Sequence, residues 1–449
     1  MPRTQFPLDP GDVPTHWYNV LADVPFTVPD ERRTAAVAYG QKLIPQLPLS
    51  MYRASVSREP RIEIPEPVRD GYRRWRPTPL YRAWHLERAL DTPARIYFKY
   101  EGTSPAGSHK LNTALAQAYF YKRAGVEHVT TGTGAGQWGV ALAMACQQVG
   151  LACTVYMVRC SYEQKPGRRL LMRANGAEVV PSPSGRTGVG RAILADDEDT
   201  EGSLAIANAE AIEQARAGDN CRFVVGSGEN HVLLHQTVIG EEAVRQMALT
   251  GDFPDVVIGC VGAGSNFAGL AFPFYREKTS RGLDTRLVAV EPEACPKLTR
   301  GVYAWDYNDF SGVTPKAKIY TLGHRFIAAG IHAGGLRYHA AAPIVSAMYH
   351  HGAIEAVAYP QRAVFEAAVE FIRTENIVPA PESAHAVRCA IDEAVRARTE
   401  GRPTVILFNL SGHGLLDLAA YEQYLNGQMR DTAVSEDQLR QSMAGLSAE

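Results

Sequence analysis

From residue 95 onward the chain alternates short, uniformly apolar segments with longer segments of helical character, and few folds accept that pattern. RIYFKY (95–100) is dense in β-branched and aromatic residues and reads as a strand. LNTALAQAYFYKRAG (111–125) reads as a helix stopped by Gly125. HVTTGT, WGVALAMACQQVG, ACTVYMV, EQKPGRRLLMRANG and AEVVPSP then follow as strand, helix, strand, helix and strand. In the second half, DVVIGCVG (255–262) and RLVAVEP (286–292) are strands around the helical FAGLAFPFYREK, and TVILFNLSG (404–412) is a late strand. Strands apolar on both faces and alternating with helices predict parallel sheets covered on both sides. The two runs, about 100–240 and 250–415, predict two α/β lobes. A ligand cleft belongs between them, at the carboxyl ends of strands. Residues 1 to about 78, rich in Pro and Arg with little periodicity, are expected to wrap the core as an extension.

Composition narrows the class further. The 449 residues are 45% hydrophobic and 21% charged, which excludes disordered and fibrous chains. A formal net charge of −2 argues against nucleic acid or a polybasic membrane contact, both of which need clustered positive charge. No signal-like apolar core opens the chain, no run is apolar enough to span a membrane, and the seven cysteines are scattered, so a cytoplasmic, reduced protein is expected. Cys146, Cys153 and Cys160 recur every seven residues. Because Cys146 falls in a helix and Cys153 in a strand, they are not expected to converge, and no metal site is expected.

Four clusters carry chemistry. In GTSPAGSHKLNTA (102–114), Lys110 follows Ser108 and His109 at a helix entrance, where the macrodipole disfavours a cation. A desolvated amine there has a lowered pKa and can form a Schiff base. TGTGAGQWG (131–139) places four glycines between strand and helix, so backbone N–H groups are exposed as an anion cradle. GCVGAGSNFAGL (259–270) repeats that arrangement with Gly262, Gly264, Ser265 and Asn266, and matches neither a Walker loop nor GxGxxG. In LFNLSGHG (407–414), Ser411 ends an apolar strand, either to meet a heterocyclic nitrogen or to cap the helical LDLAAYEQYL. Glu382, His385 and Arg337 are further polar candidates. Together the four clusters suit an aldehyde cofactor with a phosphate and a pyridine ring, which is pyridoxal phosphate.

At these residues the chain resembles the β chain of tryptophan synthase, in its second, longer class. The match runs from RPTPLYRA (76–83) to LAAYEQYL (418–425) and includes KYEGTSPAGSHKLNTA, GAGQWGVALA, NHVLLHQTVIG, PDVVIGCVGAGSNFAGLAFPF, HAGGLRYH, PAPESAHA and FNLSGHG. The resemblance implies a fold-type II pyridoxal-phosphate enzyme of the α/β class. Its lobes would comprise 108–235, and 79–107 with 236–449, beside the extension 1–78. Lys110 would be the Schiff-base lysine and proton shuttle. His109, Asn112, Gly262, Ala263, Gly264, Ser265 and Asn266 would surround the phosphate side of the cofactor, with Glu382 near the ring and Ser411 at its nitrogen. Thr133, Gly134, Ala135, Gly136, Gln137 and Trp138 would bind the amino-acid carboxylate. Gly132, Leu204, Asn208 and Tyr338 would line the acceptor pocket. The implied reaction is β-replacement on L-serine or a serine-like amino acid through an aminoacrylate, by a homodimer. A monovalent cation and an α-type partner chain are left open.

Two departures bear on the product. The family loop reads Glu-Thr-Gly-Ala-Gly-Gln, and Gly132 stands here in place of its glutamate, the acid that assists loss of the serine hydroxyl and holds the indole N–H. General acid help is worth roughly 10²–10⁴-fold. A donor with a better leaving group, an acyl or phosphoryl ester, needs no such acid, and Gly132 is expected to open space near the β-carbon. Asn208 replaces a small or apolar residue of the pocket wall, and Leu415 replaces a histidine. These changes point to retained cofactor chemistry with an altered acid and acceptor site. The alternatives are ordinary tryptophan synthesis from serine and indole, β-elimination or deamination, and a cofactor-binding pseudoenzyme.

Overall fold

The computed structural model of the chain describes residues 3–29 and 47–446. The part of the expected extension between 30 and 46 lies outside the described residues. Two parallel sheets form the framework. The smaller runs Glu178–Ser182, Ala152–Val158, His128–Thr133, Cys221–Phe223, all parallel. The larger runs Glu355–Tyr359, Arg286–Pro292, Val256–Cys260, Val405–Leu410, Arg95–Tyr100, Leu80–Arg82, with only the last strand antiparallel. Inner strands such as Val405–Leu410 are buried at every position, which is why they read as unbroken apolar runs.

The glycine clusters sit where these strands hand over to helices. His128–Thr133 leads into the helix Gln137–Val149, and Val256–Cys260 into Ser265–Arg281. Each helix is entered through a left-handed glycine, Gly136 at φ +96° and Gly264 at φ +117°. Other side chains avoid that conformation. The EQKPGRRLLMRANG segment is not one helix. Arg159–Gln164 ends before Pro166, and Pro166 starts a second helix, Pro166–Ala174. A proline ring fits the first helical position but not the interior. A hairpin of Val302–Asp306 with Ala317–Thr321 and an N-terminal pair of His16–Tyr18 with Arg61–Glu63 add two small antiparallel sheets.

The expectation that Cys146 and Cys153 stay apart fails. Gly150 (φ +68°) turns the chain sharply from the helix into Ala152–Val158, and the helix packs its inner face on that strand. The Cys146 thiol hydrogen-bonds Cys153, and this bond, with burial, pushes it well above the usual thiol range. Cys160 lies elsewhere, accepting from Arg337 at 2.8 Å. Among the described residues no group of three His, Cys, Asp or Glu could hold a metal, and no helix is long and apolar enough to cross a membrane.

The apolar core surrounds one wholly buried ionic cluster. Arg76 pairs with Glu101 at 2.8 Å and with Glu242 at 2.8 Å, and Lys99 pairs with Glu242 at 2.7 Å. Removing one partner of a buried pair leaves the others uncompensated, typically at 3–5 kcal/mol. Glu242→Gln is therefore expected to lower unfolding stability by about 3–5 kcal/mol in urea titration. Removal of Glu66 from its exposed pairs with Arg69 and Arg73 should change stability by less than about 1 kcal/mol.

Candidate functional site

Lys110 is the first residue of the helix Lys110–Arg123, with His109 at its N-cap. A lysine at this end meets the positive pole of the helix. Burial pushes its amine down to about 8, against an opposing pull from Glu382. The nearest backbone acceptor, Gly226 O, is 3.5 Å from Nζ. Behind it, burial holds His109 neutral, lowering its pKa to about 3, and its ring reaches Ser265 Oγ and Ser411 O at 3.3 Å each.

One cavity gathers Lys110, His109, Gly262, Ala263, Ser265, Asn266, Glu382 and Ser411. The turn 262–264 enters the helix Ser265–Arg281, so its N–H groups form an anion cradle. A side chain at Gly262 would fill it, because a Cβ there would sit 2.5 Å from Gly335 O. The buried hydroxyl of Ser108 lines the same cavity and has no partner among the described residues. Ser411 Oγ lies 2.7 Å from Ser383 Oγ and 3.8 Å from Cys260 Sγ. Ser411 is not the cap of Leu418–Leu425, whose N-cap is Asp417. Glu382 accepts from Gln137 and from Gly335 N at 2.8 Å each, tying the two glycine-rich regions together.

A second cavity of about 80 Å³ opens from the same lysine. Gly132, Thr133, Gly134, Ala135, Gln137 and Trp138 line it, together with Leu204, Asn208 and Tyr338. It shares Lys110, Gln137, Ser227, Ala263 and Gly335 with the first cavity, so the two are continuous. Its far wall is apolar, with Ile212, Phe223 and Val225. Trp138 donates its indole N–H to Thr131 Oγ1 at 2.7 Å, so it presents a ring face rather than a donor.

Gly132 does not open space. A Cβ there would lie 2.8 Å from Asn208 N and 2.9 Å from Ala207 C, so the helix Leu204–Ala217 already occupies that volume. The Asn208 amide overlies the position from which a side chain at 132 would extend.

Not every residue singled out from sequence reaches the cavities. Gly136 and Gly264 act through backbone conformation. Asn112 lies in the ionic cluster, accepting from Arg76 at 2.8 Å and donating to Gln236 at 3.0 Å. Asn266 lines the first cavity, but its amide is turned to Cys260 O and Asn409. Leu415 is 58% exposed and lines neither cavity. Sequence reasoning missed Ser108, Ser227, Cys260, Ser383 and Glu229. Ser227 and Glu229 lie in GSGEN, a run of small residues before the helix Asn230–Gln236, which is the same signal that marked the other loops.

A buried amine of lowered pKa, a glycine cradle at a helix start and a strand-end hydroxyl fit a phosphorylated pyridine aldehyde. The comparisons agree. The model for the pyridoxal-phosphate dependent enzyme family matches residues 73–412. The chain is 52% identical over 431 residues to "Tryptophan synthase beta chain 2" of Methanosarcina mazei, covering 96% of this chain and 98% of that one. It is 54% identical over 434 residues to the protein of the same name from Aeropyrum pernix, covering 96% and 97%. Among solved structures it resembles a fungal L-serine ammonia-lyase from Rhizomucor miehei, with TM-score 0.58, 16% identity and 78% and 98% coverage, which reports the fold. The chain is an enzyme dependent on pyridoxal 5'-phosphate, of fold type II, and belongs to the tryptophan synthase β chain family.

Proposed function

We propose that the chain catalyses β-replacement on L-serine or a serine-like amino acid, joining a small nucleophile to the β-carbon. The observation that carries this reading is the continuity of the two cavities across Lys110. One holds the cofactor-type donors, and the other a carboxylate-type loop facing an apolar wall.

Pyridoxal 5'-phosphate supplies, when bound, an aldehyde for the amino group and an electron sink for the α-carbon. His109 and the N–H groups of 262–266 would hold its phosphate, and Ser411 Oγ would meet the ring nitrogen. A hydroxyl there leaves the nitrogen uncharged, which favours β-chemistry over transamination. Nζ of Lys110 takes the α-proton and later returns it, a task suited to an amine titrating near neutrality. The N–H groups of Thr133 to Gln137 orient the substrate carboxylate, and Trp138 closes one side of the site against water. The wall of Leu204, Ile212, Phe223 and Val225 suits a flat apolar nucleophile, with Asn208 as the polar group it meets.

The names of the relatives support tryptophan from serine and indole as the default product. Gly132, Asn208 and the missing glutamate support a modified acid and acceptor site, including donors with an esterified hydroxyl. We place the enzyme in the cytoplasm as a homodimer. Its seven free, buried cysteines suit a reducing compartment. An α-type partner, as relatives named for a β chain suggest, and a monovalent cation are further candidates. We divide the chain into lobes 108–235 and 79–107 with 236–449, beside the extension 1–78. The small sheet draws its strands from 128–223, and the large sheet from 80–100 and from 256 onward, which supports this division.

Incubation with serine and indole, and in parallel with O-acetyl-L-serine and indole, tests the reading. Tryptophan is expected from at least one mixture, and product from neither, with other nucleophiles also failing, rejects it. Lys110→Ala should remove the absorbance of the lysine-linked cofactor and at least about 10³-fold of turnover. The apo chain should capture the aldehyde about tenfold faster per pH unit up to about 8, then level off, because only the neutral amine attacks. An amine of ordinary pKa would keep gaining rate to about 10.4. Gly132→Glu should lower stability by about 1–3 kcal/mol in thermal unfolding, since its Cβ meets helix backbone.

A further inference from the structure

Ser411, Ser383 and Cys260 meet at the first cavity, and their distances fix which way each proton points. Ser411 follows the strand Val405–Leu410 and lines the cavity beside Cys260. Ser383 is fully buried in the first turn of the helix Pro381–Glu400 and lines neither cavity.

A hydroxyl has one proton to give and two lone pairs to receive. Ser383 Oγ receives from Gly412 N at 3.0 Å. Its own proton has two outlets, Ser411 Oγ at 2.7 Å and Gly412 O at 3.3 Å. The second is long for an O–H···O bond, which runs about 2.5–3.0 Å. Gly412 O also accepts already from Ala380 N at 3.0 Å. The Ser383 proton therefore goes to Ser411. The other neighbour of Ser411 Oγ is Cys260 Sγ, at 3.8 Å. Burial keeps that thiol protonated, pushing it up to about 12. Asn266 accepts from Asn409 Nδ2 at 2.6 Å, which turns its own Nδ2 onto Cys260 Sγ at 3.3 Å. The sulfur is thus a weak acceptor already in use. Among the described residues, the proton of Ser411 is left only the cavity.

We propose that Ser383 is a positioning residue for the cofactor ring: by donating to Ser411 Oγ, it makes Ser411 a donor toward the ring nitrogen. This rests on the placement of Ser411 at that nitrogen made above. A serine able to turn would offer the nitrogen a lone pair and so favour a protonated ring. The bond from Ser383 removes that option and keeps the nitrogen uncharged, the state suited to β-chemistry. Consecutive residues of PAPESAHA then serve the ring, Glu382 from within the cavity and Ser383 from behind it.

The holoenzyme is reconstituted with pyridoxal 5'-phosphate isotope-labelled at the ring nitrogen. The nitrogen resonance is recorded for wild type, Ser383→Ala, Ser411→Ala and the double variant, and cofactor affinity is measured by titrating each apo chain. Wild type should show an uncharged nitrogen that accepts a hydrogen bond. Each single variant should move the resonance downfield, toward a pyridine without a donor, and weaken the cofactor by about 2–10-fold, the worth of one hydrogen bond. In the Ser411→Ala background, Ser383→Ala should change neither readout further, because the two hydroxyls act as a unit. Ser383→Cys, of similar size and a weak donor, should shift the resonance in the same direction and serves where the alanine variant does not fold. A protonated nitrogen in wild type overturns the proposal, as does an unmoved resonance in the Ser383 variants. Additive losses in the double variant also overturn it and mark Ser383 as structural. An unmoved resonance in Ser411→Ala rejects the placement of Ser411, and the proposal with it. Product formation from serine or its acetyl ester with indole decides the β-replacement reading separately.

Discussion

Two buried carboxylates and two buried cations hold the site in place. Arg76, Lys99, Glu101 and Glu242 are each essentially inaccessible, and together they join three parts of the chain. Arg76 closes the N-terminal region, Lys99 lies in the strand Arg95–Tyr100, Glu101 follows it, and Glu242 sits on the helix Val238–Thr250. Formal charge cancels within the group, and Thr78, Asn112 and Gln246 satisfy further polar atoms. Isolated, any one of these charges would be too costly to bury. Through Asn112 the cluster grips the first turn of the helix that begins with Lys110. The position of the reactive amine is therefore set from below by ion pairs, while its pKa is set from above by the apolar cavity. A site designed only for stability would put packed aliphatics in that space. The polar cluster instead fixes one orientation of the lysine helix against the large sheet, and a reactive nitrogen needs that orientation to within a fraction of an ångström.

The electrostatics around Lys110 follow from the same geometry. Burial lowers the amine, and Glu382 raises it only in part. Burial also keeps His109 uncharged beside it. A neutral imidazole can donate near a phosphate without adding a second cation that would compete with the lysine. Cys260, pushed up to about 12 by burial, is likewise a neutral thiol behind Ser411. The charges that matter are thus few, and they point at the positions where a cofactor brings its own.

The strands from Arg95–Tyr100 to Val405–Leu410 were legible in the sequence because both faces of each are buried, so the apolar signal is unbroken. The hairpin Val302–Asp306 with Ala317–Thr321 was not, since half its residues face solvent and its stability comes from its partner strand. The glycine loops were legible as chemistry because a helix start without side chains exposes N–H groups whatever surrounds it. Two features were beyond reach. The meeting of the Cys146 and Cys153 thiols depends on how a helix lies on its own following strand. The filling of the Gly132 slot depends on how closely Leu204–Ala217 approaches the small sheet, a distance that no local pattern encodes.

That approach explains Gly132 without reference to chemistry. Glu210, two residues beyond Asn208 on the same helix, is fully buried and accepts from Ser182 Oγ at 2.5 Å, Ser184 Oγ at 2.6 Å and Thr187 Oγ1 at 2.7 Å. Thr130 Oγ1, two residues before Gly132 on the same strand, donates to Ala211 O at 2.7 Å. These bonds, at the adjacent residues Glu210 and Ala211, draw the helix down onto the strands. With the helix held there, a Cβ at position 132 forces the helix backbone to shift, so a glutamate there carries a packing cost whatever the reaction demands. The close packing and the acid oppose each other at this one residue. A chain that keeps the lysine, the cradle and the carboxylate loop while giving up this position must either use donors that leave unaided or bring a proton from another wall of the cavity.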